Sequence, residues 1–184
     1  MRKIILFIFC LYIGGIIVSG AIDKVEANSF KLTSNELTHQ GTLPNAQVLN
    51  AHGCTGGNVS PQLSWNTPPI NTKSFAIICH DPDAPKQNGW YHWLVLNIPT
   101  NIRAIPQGGY IDGSLETITD FKTTGYGGAC PPVGHGIHHY NFTIYALDVE
   151  KLNIDKNTDP VKVEKLVQEH TLVKSTITGL FERK

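Results

Sequence analysis

The chain has 184 residues, and its 15 basic (Lys and Arg) and 15 acidic (Asp and Glu) side chains give a formal net charge of zero. It contains no block of like charge and no basic face, which argues against nucleic acid as a partner and against electrostatic binding to membranes. The length is sufficient for one domain with a substantial core.

The N-terminal segment is predicted to be a secretory signal peptide. Two basic residues precede an uncharged apolar run at positions 4–18, and small residues follow. A membrane anchor is the alternative, but a spanning helix needs about 20 apolar residues, so a signal peptide is favoured. We expect cleavage after Ala27, with Ala21 as an alternative site. Residues 1–27 would then be removed, and residues 28–184 would form one periplasmic or secreted domain with no stable membrane insertion.

Short runs rich in β-branched and aromatic residues, each bounded by Gly, Pro or Asn, predict β-strands. They lie at 30–33, 62–65, 75–79, 92–98, 140–147 and 176–181. Alternation along 140–147 puts every second residue from Tyr140 to Ala146 on one face. One helix is predicted near the C-terminus, because Asp159 is a good N-cap and Pro160 suits the first helical position. Strands with one late helix indicate a β-rich sandwich with a helical appendage.

Two long glycine-rich loops, 52–61 and 125–136, each carry a cysteine, Cys54 and Cys130. Irregular loops of this length are often functional. In an oxidising compartment these two cysteines are predicted to form a disulfide. Cys79 ends a buried-looking strand and is expected to stay free, as a small hydrophobic residue. A structural zinc site is not predicted, because the chain has no CxxC pair.

The stretch HDPDAP at 80–85 leaves an imidazole and two carboxylates at the end of a predicted strand. Asp81 and Asp83 could form an acid/base pair, but a proline separates them and no nucleophile is adjacent. A calcium site of the EF-hand type would also need a glycine and a terminal glutamate, and neither is present. An Asp before Pro equally forms a simple turn. The motif alone leaves a turn and a functional site both open.

Two later strands begin with histidines. Simple alternation along the strand predicts that His92 lies on the same face as Leu94, Leu96 and Ile98. A lone histidine on such a face is more often a core residue than a ligand. In the stretch GHGIHHY at 134–140, His138 and Tyr140 point to one side and His139 points to the other. Spacing does not show whether these side chains converge with the Asp81 turn.

Six stretches of the chain resemble the phosphatidylethanolamine-binding protein family, in its bacterial, Raf-kinase-inhibitor-like branch. They are GCTGGNVSPQLSW (53–65), DPDAP (81–85), GWYHWLVLNIP (89–99), TDFKTTGYGGACPP (119–132), GHGIHHYNFTIYALD (134–148) and HTLVKSTITGLFER (170–183). They follow in family order over nearly all of the predicted mature chain. The resemblance implies a mostly-β fold in which a large antiparallel sheet packs on a smaller one, with a helix near the C-terminus.

The resemblance also implies a small pocket that binds an anion such as phosphate, a phosphorylated head group or a phosphorylated side chain. The implied pocket residues are Asp81, Asp83, Pro85, Trp90, His92, Pro131, His138 and Tyr140. Asp81 is expected to orient a histidine and raise its pKa, because a bare carboxylate would repel the anion. His139 stands where the family usually has arginine, which weakens any ion pair that this arginine makes. No catalytic residue, metal or cofactor is predicted.

Two other functions remain open at this stage. The protein could inhibit a kinase or a protease, with the pocket anchoring a loop of its partner. The longer C-terminal helix of mammalian members is absent, however, so the resemblance does not imply their kinase-inhibiting contacts. The protein could also be a hydrolase that uses the Asp/His cluster, although the chain has no GxSxG, HExxH or P-loop motif.

Overall fold

A computed structural model describes residues 30–184. The predicted signal peptide at 1–27 lies outside these residues. Within the described part of the chain, no helix combines the length and the apolar character that crossing a membrane requires.

The described chain forms two β-sheets and one α-helix. In chain order the elements are β1 (Leu32–Thr33), β2 (Gly41–Thr42), a short 3-10 helix (Asn45–Gln47), β3 (Leu63–Trp65), β4 (Ser74–Asp81), β5 (Trp90–Ile98), β6 (Ala104–Ile105), β7 (Leu115–Glu116), β8 (His138–Leu147), α1 (Pro160–Glu169) and β9 (Thr171–Phe181). The small sheet has the order β1-β3-β6, and the large sheet has the order β2-β9-β8-β4-β5-β7. The prediction of a large sheet, a smaller sheet and a late helix is confirmed.

The large sheet is antiparallel except at one edge. There β2 pairs with β9 in parallel, over two residues. The long strands pair antiparallel: β8 with both β4 and β9, and β4 with β5. Strand β9 begins at Thr171, earlier than the run at 176–181 predicts. Strands β2, β6 and β7 were not predicted, because two residues are too few to show alternation.

Two apolar layers lie on opposite faces of the large sheet. One fills the space between the sheets and includes Leu63 and Trp65 from the small sheet. The predicted face of β8 points into this layer, with Tyr140, Phe142, Ile144 and Ala146 all buried there. The other layer lies between the large sheet and α1, where Val163 and Val167 of the helix are fully buried. The candidate site lies on the first of these faces.

Helix α1 begins as its sequence predicts. Asp159 caps it, with its side chain accepting a hydrogen bond from the Val161 N–H at 3.1 Å, and Pro160 occupies the first turn. Such a cap satisfies one of the backbone donors that a helix N-terminus leaves free. The helix covers one face of the large sheet, and the small sheet and the site lie on the other face.

Candidate functional site

A cavity of about 320 Å³ opens at the end of the large sheet where β4 ends and where β5 and β8 begin. Because neighbouring strands in this part of the sheet are antiparallel, one strand end and two strand beginnings meet there. The cavity is lined by Leu49, His52, Asp81, Ala84, Pro85, Lys86, Trp90, His92, Phe121, Cys130, Pro131, Pro132, His138 and Tyr140. Its walls are mostly apolar, with a few polar groups among them, as is usual for small-molecule sites.

The structure brings seven of the eight predicted site residues to this cavity: Asp81, Pro85, Trp90, His92, Pro131, His138 and Tyr140. Asp83 is the exception. Its half-exposed carboxylate accepts hydrogen bonds from the backbone N–H and from Nδ1 of His139, both at 2.8 Å, outside the lining. His139 thus pairs with the turn from the outer side of β8. Burial acts to raise the pKa of Asp83, but the hydrogen bonds from His139 outweigh it and the pKa is lowered.

A β-bulge in β5 places His92 in the cavity. Tyr91 pairs with His80 and Trp93 pairs with Cys79, so His92 is an extra residue with no partner on β4. The prediction that His92 shares a face with Leu94 and Leu96 is therefore wrong. Those leucines pack in the layer under α1, whereas the His92 ring contacts Tyr140 at 5.1 Å between centroids. A second register shift places Ile98 in the layer between the sheets. Simple alternation missed both shifts, since a bulge reverses side-chain direction.

The glycine-rich loop 125–136 forms hydrogen bonds with His92, the residue at the bulge. The His92 carbonyl accepts from the Gly127 N–H at 2.9 Å, and the His92 Nδ1 lies 2.7 Å from the Gly127 carbonyl oxygen. A carbonyl can only accept, so Nδ1 carries the hydrogen. The ring is almost fully buried, and burial lowers the pKa of His92 from 6.5 to about 4. His92 is therefore neutral at neutral pH, in contrast to the imidazolium that would best attract an anion.

His138 lies in a chain of three side chains. Its Nδ1 donates to Asp81 Oδ2 at 2.6 Å, and both side chains are buried. Its Nε2 lies 2.7 Å from Nδ1 of His135, an exposed residue in the loop before β8. The second oxygen of Asp81, Oδ1, accepts from the Asp83 N–H at 2.9 Å. The expected role of Asp81 in orienting a histidine is confirmed by this geometry, and the histidine is His138.

Two buried hydrogen-bond donors of the lining have no partner within residues 30–184. The Trp90 Nε1 is buried and unpaired. The Tyr140 hydroxyl makes no hydrogen bond to the described part of the chain. Burial, reinforced by the negative charge of Asp81, raises the pKa of Tyr140, so its hydroxyl stays protonated. The Tyr140 hydroxyl gives the cavity donor capacity that a ligand can use, whereas the Trp90 Nε1 is enclosed.

Sequence reasoning missed Lys86, the permanent positive charge of the lining. Its Nζ lies 2.5 Å from Asp120 Oδ1 and 5.6 Å from the centre of the Trp90 ring. Asp120 is buried and also accepts from the Tyr91 N–H at 2.8 Å. The only available signal was position, because Lys86 directly follows the DPDAP motif. His52, Leu49, Ala84, Phe121 and Pro132 were missed for the same reason, since no pattern marks them.

The disulfide predicted between Cys54 and Cys130 is present, and Cys79 is free and buried, as predicted. Cys130 itself lines the cavity, and so does His52, two residues before Cys54. Arg183 joins the same two loops, because its guanidinium lies within hydrogen-bond distance of the Gly53 and Pro131 carbonyl oxygens. The wall opposite the sheet is thus tied together covalently and by hydrogen bonds.

The lining offers hydrogen bonds and charge. It includes no serine or threonine, and its one cysteine is held in the disulfide. Within residues 30–184, no group of three or more His, Cys, Asp or Glu side chains is arranged to hold a metal ion.

Comparisons with known proteins agree with this architecture. Residues 33–182 match the family model described as phosphatidylethanolamine-binding protein. The chain is 45% identical to the UPF0098 protein YbhB of Escherichia coli K12, over 82% of this chain and 99% of that protein. It is similar to the crystal structure of E. coli YbcL, with a TM-score of 0.82 and 39% identity over 85% of this chain and 99% of that one. A homologue from Chlamydia trachomatis, CT736, gives a TM-score of 0.74 at 27% identity, covering 86% of this chain and all of that one (100%).

Proposed function

Because the chain belongs to the phosphatidylethanolamine-binding protein family, we propose that it is a binding protein whose cavity takes a phosphate-like oxyanion or a phosphorylated group and carries out no reaction on it. One observation carries this proposal. The Tyr140 hydroxyl, with no protein partner among the described residues, and the Lys86 ammonium line the same small cavity. Both are donors that phosphate oxygens accept, and bonds to a charged partner are the stronger kind.

The size and the walls of the cavity support a head group rather than a large ligand. A volume of about 320 Å³ lies at the lower end of the range for ligand pockets. Apolar walls from Phe121, Pro131 and the Trp90 ring lower the local dielectric constant, which strengthens each hydrogen bond to an anion. A phosphate or a phosphorylated head group fits these requirements.

The chemistry of the lining favours binding over hydrolysis. Hydroxyl or thiol catalysis of the Ser, Thr or Cys type would need such a side chain within reach of a base, and neither Ser, Thr nor free Cys is among the lining residues. The Asp81–His138 pair resembles part of a catalytic arrangement. Its outer nitrogen, however, contacts His135 and no hydroxyl. Hydrogen-bonded Asp–His pairs also serve binding.

We further propose that the protein acts outside the cytoplasm, in the periplasm or as a secreted protein. The predicted signal sequence motivates this location, and the Cys54–Cys130 disulfide is compatible with it, because structural disulfides persist in oxidising compartments.

Calorimetric titration with inorganic phosphate and O-phosphorylethanolamine tests the binding proposal. The proteins are the wild type, His92→Ala, His138→Ala and the control His170→Ala, whose exposed ring pairs with Asp148 away from the cavity. We expect His92→Ala to lose about 1.5–3 kcal/mol of binding free energy, the usual worth of a hydrogen bond to a charged group. His138→Ala should also weaken binding, because it leaves the Asp81 carboxylate of the lining without its partner. Equal affinities in all four proteins would mean that the cavity is not the binding site. Turnover on a panel of phosphoesters and carboxylic esters by the wild type would contradict the non-catalytic assignment.

A further inference from the structure

The orientation of His92 limits which form of an oxyanion the cavity can hold. The Nδ1 hydrogen is donated to the Gly127 carbonyl oxygen at 2.7 Å, and the bond is buried. In a neutral imidazole only one ring nitrogen carries a hydrogen. Nε2 is therefore a hydrogen-bond acceptor, and no group in the described chain donates to it. Since the ring lines the cavity, this acceptor is available to a ligand.

Protonating His92 would turn this acceptor into a donor, but its surroundings oppose that change. The ring is buried against Phe121 and Tyr140. The charged and titratable groups that influence it are Asp81 and His80 on β4 and Asp120 in the loop after β7. Lys86 is paired with Asp120. Asp81 and Asp120 favour the charged ring, His80 opposes it, and burial outweighs all of them.

His138 does not supply a second free donor in this arrangement. Its Nδ1 hydrogen goes to Asp81, and its Nε2 is already joined to His135 at 2.7 Å. The Asp81 carboxylate also belongs to the lining, so negative charge is present in the wall. A ligand with fewer negative charges is repelled less by this wall.

Resting on the proposed function, we propose that the cavity selects an oxyanion that still carries an acidic hydrogen, namely the singly protonated form of a phosphate group, with its P–O–H donating to Nε2 of His92. The remaining phosphate oxygens accept from Tyr140 and from Lys86. A fully deprotonated oxyanion of the same shape places a lone pair against the lone pair of Nε2. His92 is then the residue that determines specificity between protonated and unprotonated anions.

Sulfate is the matched probe, because it has nearly the shape of phosphate and carries no hydrogen in the neutral pH range. The second pKa of a phosphate monoester lies near 6. We expect O-phosphorylethanolamine affinity to fall as pH rises from 5.5 to 7.5, in proportion to the loss of the P–O–H form. Sulfate is expected to bind at least about tenfold more weakly than phosphate at pH 6, the equivalent of one lost hydrogen bond, with little change over this range.

The outcomes separate this proposal from the proposed function. If sulfate and phosphate bind with similar affinity, the cavity does not distinguish protonated from unprotonated anions. If both gain affinity in parallel as pH falls, protonation of the protein controls binding. In either case the proposal is overturned and the oxyanion site stands. If neither anion binds at any pH, both the proposed function and this proposal fail. A tenfold or greater preference for phosphate, with a pH dependence that sulfate lacks, supports both.

The variant His92→Gln gives a second test, because its amide can donate as well as accept. We expect the ratio of phosphate to sulfate affinity to fall to near one, with the pH dependence of phosphate binding reduced. His170→Gln is the control, since this exposed residue does not line the cavity. If His92→Gln does not fold, the wild-type comparison of the two anions decides the question alone. An unchanged ratio in folded His92→Gln would contradict the assignment to this nitrogen.

Discussion

The Oδ2 of Asp81 and the Nδ1 of His138 lie 2.6 Å apart, although 57 residues separate the two positions in the chain. Both side chains are at most 3% exposed. Gly89 makes this approach possible at the end of the β4–β5 hairpin. It has φ +68, and a Cβ there would lie 2.3 Å from the Asp81 carbonyl oxygen. A side chain at position 89 would therefore move the turn that holds the carboxylate.

We expect Asp81→Ala to lower the free energy of unfolding by about 2–3 kcal/mol, because it leaves the buried His138 Nδ1 hydrogen and the Asp83 N–H without their acceptor. Asp83→Ala, in the same turn, is the matched control. Its half-exposed pair with His139 predicts a loss below about 1 kcal/mol. Urea unfolding of both variants measures the difference. Similar losses in the two proteins would contradict the structural role assigned to Asp81.

Stability is expected to decrease as pH falls below 6.5, because of His92. Its pKa is about 4 in the folded protein against 6.5 when unperturbed, so between these values the unfolded chain binds the additional proton. The contribution is fully present above pH 6.5, is lost progressively down to about pH 4, and amounts to about 3 kcal/mol. Urea unfolding at pH 7.5, 6 and 5 should show a smaller decrease for His92→Gln than for the wild type and for His170→Gln. Parallel decreases in all three proteins would show that His92 is not the source.

Replacing both disulfide cysteines, in Cys54→Ala/Cys130→Ala, is expected to lower stability by about 4 kcal/mol. The estimate follows from loop-closure entropy, because the bridge spans a sequence separation of 76. Binding should weaken too, since Cys130 and the nearby His52 line the cavity. The unfolded, non-reduced mature wild type should contain one reactive thiol, that of Cys79. Three reactive thiols in exported protein would refute the bridge.

His135→Ala is expected to increase the affinity for phosphate by about two- to tenfold, the worth of one ordinary hydrogen bond. The contact between His135 and His138 occupies Nε2 of His138, an acceptor that a P–O–H group of the ligand could otherwise reach. His139→Ala is the control, because this neighbouring histidine binds Asp83 outside the lining. Calorimetry on the three proteins compares them directly. A loss of affinity in His135→Ala would instead place His135 among the ligand's own contacts.

If the protein is exported and cleaved as expected, the native chain begins near residue 28. Intact-mass measurement of the protein purified from its own host should give a chain shortened by the signal peptide of residues 1–27. A chain that retains Met1 would contradict both the predicted cleavage and the proposed location.

The sequence was sufficient to predict the longer strands, the capped helix and the pairing of Cys54 with Cys130, because each depends on local composition or on a small number of cysteines. Most of the site was predicted from the resemblance to the family. Alternation placed His138 and Tyr140 on one side of β8, as observed. It failed for His92, since nothing in the stretch WYHWLVLNI marks an inserted residue. Lys86 and His135 were missed because their roles depend on contacts between loops, which follow no periodicity.

The bulge at His92 adds one residue to the site without changing the strand pairing on either side of it. Asp81 pairs with Trp90, His80 with Tyr91 and Cys79 with Trp93, so the ladder on both sides of His92 is already in register. A chain that lacked this one residue could keep every flanking pair and form the same hairpin without this bulge. Such a deletion would remove the imidazole and its bonds to Gly127 while leaving the sheet intact. The imidazole of the cavity therefore depends on one inserted residue, whereas the other lining residues belong to strands and loops that the bulge does not create.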